Sequence, residues 1–151
     1  GRIAAQEGFV LVSGGATGAD QTAQRACLDA GGSCIIVVPD QLTNYAPHPR
    51  CLYLSEDGYD LSFSPARALH RNSLIHMLGE KTIAAQCTYG KGGTWEGILA
   101  NLKNGWNDVC IFDDGRKASQ ELQNRGVRNI GLSDLADLSA LSQLQMSFID
   151  E

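Results

Sequence analysis

Two glycine-rich stretches constrain this chain more than any other feature. Residues 13–20 (S-G-G-A-T-G-A-D) and 90–97 (G-K-G-G-T-W-E-G) each lie between a short β-rich run and an amphipathic segment. Glycine at such a place lets the backbone turn sharply and approach a ligand with no Cβ in the way. The helix behind it presents free N–H groups and the positive end of its dipole, which suits phosphate. One such turn is a weak signal. Two of them, at the carboxyl ends of strands in one sheet, would converge on a single crevice, where open α/β sheets bind ligands.

The remainder of the chain supports that arrangement. Residues 9–12 read as a buried strand, and a helix follows from about 20 to 30 with Ala23, Ala26, Cys27 and Ala30 on one face, stopped by Gly31 and Gly32. Residues 34–38 form the next strand, closed by Pro39. The stretch 39–64 is irregular and rich in Pro, Asn, Asp and Tyr, with room for a short strand at 51–54. Such a long irregular segment inside a compact domain is often functional. Ser64 and Pro65 then open a helix whose Leu69, Leu74, Ile75 and Leu78 repeat at helical spacing, and Pro suits its first position. Strands at 81–85, 109–112 and 129–131 alternate with helices after residue 93, over 119–124 and from about Ser133. This alternation predicts an α/β fold, a Rossmann-like three-layer α/β/α sandwich with a mostly parallel sheet. All 151 residues are expected to form one domain, long enough for a core without disulfide or metal. Residues 1–8 look like the back end of a helix, and a βα sheet normally places a strand ahead of it. The expectation is that the sequence starts inside a longer protein and that its first strand is missing.

Composition narrows the partners. No apolar run approaches the roughly 18 residues of a membrane span, and the N-terminus lacks a signal-peptide pattern. The five cysteines are odd in number, with no C-x-x-C pair, so a reducing cytoplasmic compartment and structural thiols are expected, with no metal and no cofactor. The net charge of −5 means that any nucleic-acid contact must rest on a local patch rather than on a basic surface.

The candidate binding residues follow. In the first loop they are Ser13, Gly14, Gly15, Thr17, Gly18 and Asp20, the last able to cap the helix. In the second they are Gly90, Lys91, Gly92, Gly93 and Thr94, with Thr94 able to cap a helix or donate to a phosphate. Arg67 and Arg71 are four apart on one helix and can fork around a phosphate; Asn72 can hydrogen-bond locally or read a base. Glu96 can pair a sugar hydroxyl, serve as an acid/base group, or only complement the helix dipole. Trp95 is free to stack on a base while Trp106 is expected in the core. His48, His70 and His76 read as surface or edge histidines.

The order L-V-S-G-G-A-T-G-A-D, R-A-C-L-D-A-G-G, S-P-A-R-A-L-H-R-N-S-L-I and G-V-R-N-I-G-L-S-D-L resembles the Rossmann-like domain of the DNA-processing protein A (DprA/Smf) family over nearly the whole chain. The resemblance implies single-stranded DNA binding, recombinase loading and dimerisation. Of that family's R-N-R set, Arg71 and Asn72 are present and Ser73 replaces the second Arg; Thr17 stands where the family has an Arg in the first loop. The wider SLOG superfamily includes the LOG phosphoribohydrolases, whose P-G-G-x-G-T-x-x-E motif is similar to the second loop here, with the catalytic Glu position falling on Gly97 and Glu96 one residue early. Three functions stay open: a non-catalytic binder of a nucleotide or single-stranded nucleic acid, a nucleoside-monophosphate phosphoribohydrolase using Glu96, and a small-nucleotide sensor. Leu132, Leu135, Leu138, Leu141 and Leu144 make a band that predicts a homodimer.

Overall fold

In the computed structural model, which describes residues 1–141, helices and parallel strands alternate along the chain. The elements are α1 (Arg2–Gln6), β1 (Leu11–Ser13), α2 (Ala19–Asp29), β2 (Cys34–Val38), β3 (Cys51–Ser55), α3 (Pro65–Leu78), β4 (Lys81–Ala84), α4 (Gly93–Asn104), β5 (Asp108–Phe112), α5 (Lys117–Asn124) and β6 (Arg128–Ile130). Short 3-10 turns lie at Leu42–Asn44 and Asp134–Ala136. The expected α/β Rossmann-like fold is present. The strands form two three-stranded sheets, ordered β1-β2-β3 and β4-β5-β6, every pairing parallel.

Each sheet is covered on both faces, as parallel strands require. In the first, Cys34, Ile36 and Val38 pack with Cys27 of α2 and Ala5 of α1, while Val37, on the other face, lies beneath α3. In the second, Ala84, Val109 and Ile111 pack against Trp95 and Ile98 of α4 and Ala118 and Leu122 of α5. Its opposite face holds Cys110 and Ile130 against Leu135, Leu138 and Leu141.

The local signals explain the boundaries. Ser64 accepts from the Arg67 N–H at 3.1 Å and Pro65 opens α3, a capped start. Gly105 ends α4 in the left-handed conformation, φ 64°. Expectations differ from the structure at three places. The single sheet divides in two. The helix expected from Ser133 is a 3-10 turn at Asp134–Ala136, with helix resuming at Leu138. The leucine band is largely spent inside the fold: Leu135, Leu138 and Leu141 pack inward, Leu132 is 76% exposed, and Leu144 lies outside the described residues.

The cysteines behave as small hydrophobes. Cys27, Cys34 and Cys110 are buried and all five are unpaired. Burial, with Cys27 as the next contribution, pushes the Cys34 thiol up to about 12. Among the described residues no helix is long and apolar enough to cross a membrane.

Candidate functional site

The two glycine loops follow β1 and β4, and both lead into helices that begin on glycine. Gly18 (φ 100°) is the N-cap of α2 and Gly92 (φ 91°) that of α4, and neither cap carries a side-chain hydrogen bond. Positive φ at these positions is why glycine is needed, and the absent cap leaves helix N–H groups available to an anion. Thr94 is therefore not the cap; it sits in the first turn of α4, exposed, on the wall of a pocket of about 330 Å³ that Cys87, Thr88, Lys91, Gly92 and Gly93 also line.

The first loop is already engaged by an internal anion. Asp20 does not cap α2: its Oδ2 accepts from the backbone N–H of Gly14 (3.1 Å) and Ala16 (3.3 Å). Ser13 donates to Gln24 at 2.6 Å, and the Gly15 N–H donates to the Ser13 hydroxyl. Thr17 and Gly18 lie exposed at the tip. These carboxylate bonds hold the loop in shape and place negative charge beside its amides.

Helix α3 ties the loops together through two adjacent residues. Arg71 is buried, 8% exposed, and its Nη1 donates to the carbonyls of Gly14 (2.7 Å) and Val37 (3.0 Å) at the ends of β1 and β2. Its Nε donates to Asn72 Oδ1 at 3.0 Å. The Asn72 amide then reaches the second loop, where a Cβ built on Gly93 would lie only 2.6 Å from Asn72 Nδ2. The Arg71–Asn72 pair of α3 thus touches both glycine loops. Burial lowers the pKa of the Arg71 guanidinium from the ordinary arginine value, and Asp20, Tyr45 and Asp40 oppose that.

Arg67 is spent elsewhere. It donates to the carbonyls of Pro39 (3.1 Å), Asp57 (2.9 Å) and Gly58 (3.0 Å), and to Ser55 Oγ. It pins the irregular segment onto α3 rather than pairing with Arg71 around a ligand.

Other residues were misplaced by sequence reasoning. Trp95 is in the core at 5% exposed and cannot stack on a base, while Trp106 is only half-buried. Tyr89, on the second loop, is the exposed aromatic there at 42%, its ring 5.2 Å from that of Trp95 with Lys117 Nζ 4.0 Å above it. His76 is buried, in a polar network with Thr82, Asn101 and Asn107. Asp40 and Tyr45 were missed: the Tyr45 hydroxyl donates to Asp40 at 2.6 Å, and burial, then Asp40, pushes its pKa up to about 12. Nothing in their spacing pointed to Arg71.

Glu96 is exposed on the first turn of α4, while Gly97, at the position of the hydrolase glutamate, faces inward. A Cβ on Gly97 would meet His76 Nε2 at 2.9 Å. That position is a packing contact between helices, with no room for a carboxylate.

A model of the DNA recombination-mediator protein A family matches residues 2–129. The chain belongs to this family. Among solved structures, DNA processing protein A from Streptococcus pneumoniae is similar at 24% identity and TM-score 0.72, the match covering 85% of this chain and 50% of that one. DNA processing protein A from Helicobacter pylori, in a structure concerned with its single-stranded DNA binding mode, is similar at 24% identity and TM-score 0.74, over 97% of this chain and 70% of that one. The molybdenum cofactor binding protein of Rippkaea orientalis shares the fold at 23% identity and TM-score 0.65, over 98% and 82%. The chain spans about half the length of the Streptococcus protein. No curated protein matches it.

Proposed function

We propose that this domain binds single-stranded DNA without catalysis, seating backbone phosphate on the second glycine loop. The observation that carries the reading is the Arg71–Asn72 bridge, which ties two helix-starting glycine loops to one helix. Gly92, Gly93 and Thr94 would offer donors to a phosphate, Lys91 its charge, and Tyr89 a face for one base. The first loop, with Ser13, Gly14, Gly15, Thr17 and Gly18, would shape the opposite wall, since Asp20 occupies its amides. Family membership supports DNA as the partner, and the single-stranded DNA binding mode of the Helicobacter protein agrees with it.

The test is fluorescence anisotropy of a labelled single-stranded oligonucleotide at low and moderate salt. Affinity should weaken with salt and fall in Lys91→Ala, a surface change that leaves the fold alone, and in Arg71→Ala. Absence of binding at micromolar protein would sink the reading, and mononucleotides would then be screened for affinity and base release. The homodimer belongs to the same reading; sedimentation velocity at two protein concentrations checks it.

A further inference from the structure

Arg71 carries a charge that the fold leaves unpaired. It is 8% exposed, yet among the described residues it takes part in none of the ion pairs. Its partners are all neutral: Nη1 donates to the carbonyls of Gly14 (2.7 Å) and Val37 (3.0 Å), and Nε to Asn72 Oδ1 (3.0 Å). The Nη2 amino group makes no hydrogen bond among the described residues. It is also not sealed from solvent, since the one buried side-chain nitrogen or oxygen left without a partner there is Asn129 Oδ1. A guanidinium this deep is normally met by a carboxylate, and one left with an open donor is poised for an acceptor from outside.

The surroundings of that donor say what the acceptor is. Asp20 Oδ2 accepts from the N–H of Gly14 (3.1 Å) and Ala16 (3.3 Å), and its Oδ1 takes no hydrogen bond among the described residues. Gly14 joins the two side chains: its N–H meets Asp20 and its carbonyl meets Arg71. Asp40 follows β2, whose Val37 carbonyl Arg71 holds, and accepts from the Tyr45 hydroxyl (2.6 Å) and from Asn44 (3.1 Å). Both carboxylates act on the Arg71 charge. One guanidinium beside two carboxylates leaves negative charge in excess, which opposes a phosphate. An uncharged edge with a donor and an acceptor side by side fits instead, and nucleobases present such edges. The excess charge selects among them. An exocyclic amino group brings N–H donors to the carboxylates, whereas uracil and thymine set carbonyl oxygens on both sides of their single N–H.

We propose that Arg71 and Asp20 form a base-reading pair, which takes the edge of an amino-bearing base such as cytosine. The N4 amino group of that base donates to Asp20 Oδ1, and Arg71 Nη2 donates to N3 or O2 of the same ring. The inference deepens the single-strand reading and, for the strand, rests on it. The Asn72 amide, bonded to Arg71 on one side and against Gly93 on the other, sets the pair beside the phosphate seat of the second loop. A contact to a base edge releases no counterion, so its share of the affinity does not fall with salt, and Lys91 remains the cation that meets phosphate.

The experiment compares labelled oligodeoxycytidine and oligodeoxyuridine of equal length by fluorescence anisotropy. The two rings are alike in size and differ at one edge, N4 amino and bare N3 against O4 and N3–H. The cytidine strand should bind at least about fivefold tighter, and the ratio should hold from low to moderate salt while both affinities fall. Asp20→Asn is the decisive variant. Its amide oxygen can keep the N–H groups of Gly14 and Ala16, while its Nδ2 puts a donor where the free oxygen stood. The preference should then vanish or turn to the uridine strand, with a urea midpoint near the parent's showing the loop intact. Millimolar deoxycytidine and deoxyuridine, followed by NMR at the Gly14 and Ala16 amides of the parent chain, test the pair without any phosphate; deoxycytidine should shift them more. Equal binding of the two strands would leave the single-strand reading standing and overturn this inference. A preference unchanged in Asp20→Asn would overturn it too. If neither strand binds, the single-strand reading fails and the nucleosides decide: larger shifts with deoxycytidine keep the pair, while equal shifts or none overturn it.

Discussion

His76 illustrates how a single side chain can be fixed by its neighbours. The backbone N–H of Asn107 can only donate, and it donates to Asn101 Oδ1 at 3.1 Å, which orients that amide and turns its Nδ2 to His76 Nδ1 at 2.9 Å. A ring nitrogen that accepts is unprotonated, so the network holds His76 neutral. Burial likewise lowers its pKa below the ordinary 6.5. The unfolded chain then binds the proton first as pH falls below about 6.5, and folding stability declines from there down to the lowered value, by at most about 1.4 kcal/mol per pH unit. The groups around the ring (Thr82, Asn101, Asn107 and Trp106) are uncharged. Urea midpoints of the parent chain and His76→Gln at pH 7.5 and 5.5 test this: the parent should lose more stability on acidification than the variant. Equal losses would mean that His76 is not the group titrating. The sequence could not have shown this, because Asn101 and Asn107 lie 25 and 31 residues from His76. The two arginines of the same helix teach the same lesson. They are four apart and alike in sequence, yet one meets the carbonyls of the irregular segment and the other those of β1 and β2.

At the scale of elements, helices α3 and α4 interlock through a notch. Gly93 and Gly97 are four apart on α4 and face Asn72 and His76, four apart on α3. Built Cβ atoms would come to 2.6 Å from Asn72 Nδ2 and 2.9 Å from His76 Nε2. The two contacts should respond differently. Asn72 presents the free end of a side chain that can swing, whereas His76 is held in its network. Gly97→Ala should therefore destabilise the domain by about 1–3 kcal/mol, read from the urea midpoint. Gly93→Ala should cost less stability but displace Asn72 from Arg71 and weaken oligonucleotide binding. The reverse ranking would mean that the helices part at Gly97 without cost. Much at this scale was legible: Ser64 and Pro65 marked the start of α3, the glycines at 31 and 105 the ends of α2 and α4, and the run 34–38 a strand with the observed bounds. The division of the sheet was not, because strand order depends on contacts between residues far apart, and Val12 and Ile83 look like any other strand residues.

For the whole molecule, charge sets how the proposed DNA ligand would be held. The chain carries a net charge of −5, so its long-range field does not draw a polyanion in, and affinity must come from the crevice. Few cations serve it. Arg67 is engaged by backbone carbonyls, Asp20 and Asp40 act on Arg71, and Lys91 stands exposed on the second loop. One cationic phosphate contact, to Lys91, would release few counterions, since Arg71 is buried and donates to the carbonyls of Gly14 and Val37. For single strands the logarithm of affinity falls with the logarithm of salt by about 0.7 per phosphate contact, giving a slope of roughly −0.7 here. Stacking on Tyr89 adds affinity that salt does not reach. Titrations of a labelled oligonucleotide from 50 to about 200 mM salt should therefore lose roughly two- to threefold in affinity, and Lys91→Ala should flatten the slope. A slope steeper than about −3 would require cations that this crevice does not hold. The binding surface would then lie elsewhere on the molecule, and the bridge of Arg71 and Asn72 would be a structural tie between the loops.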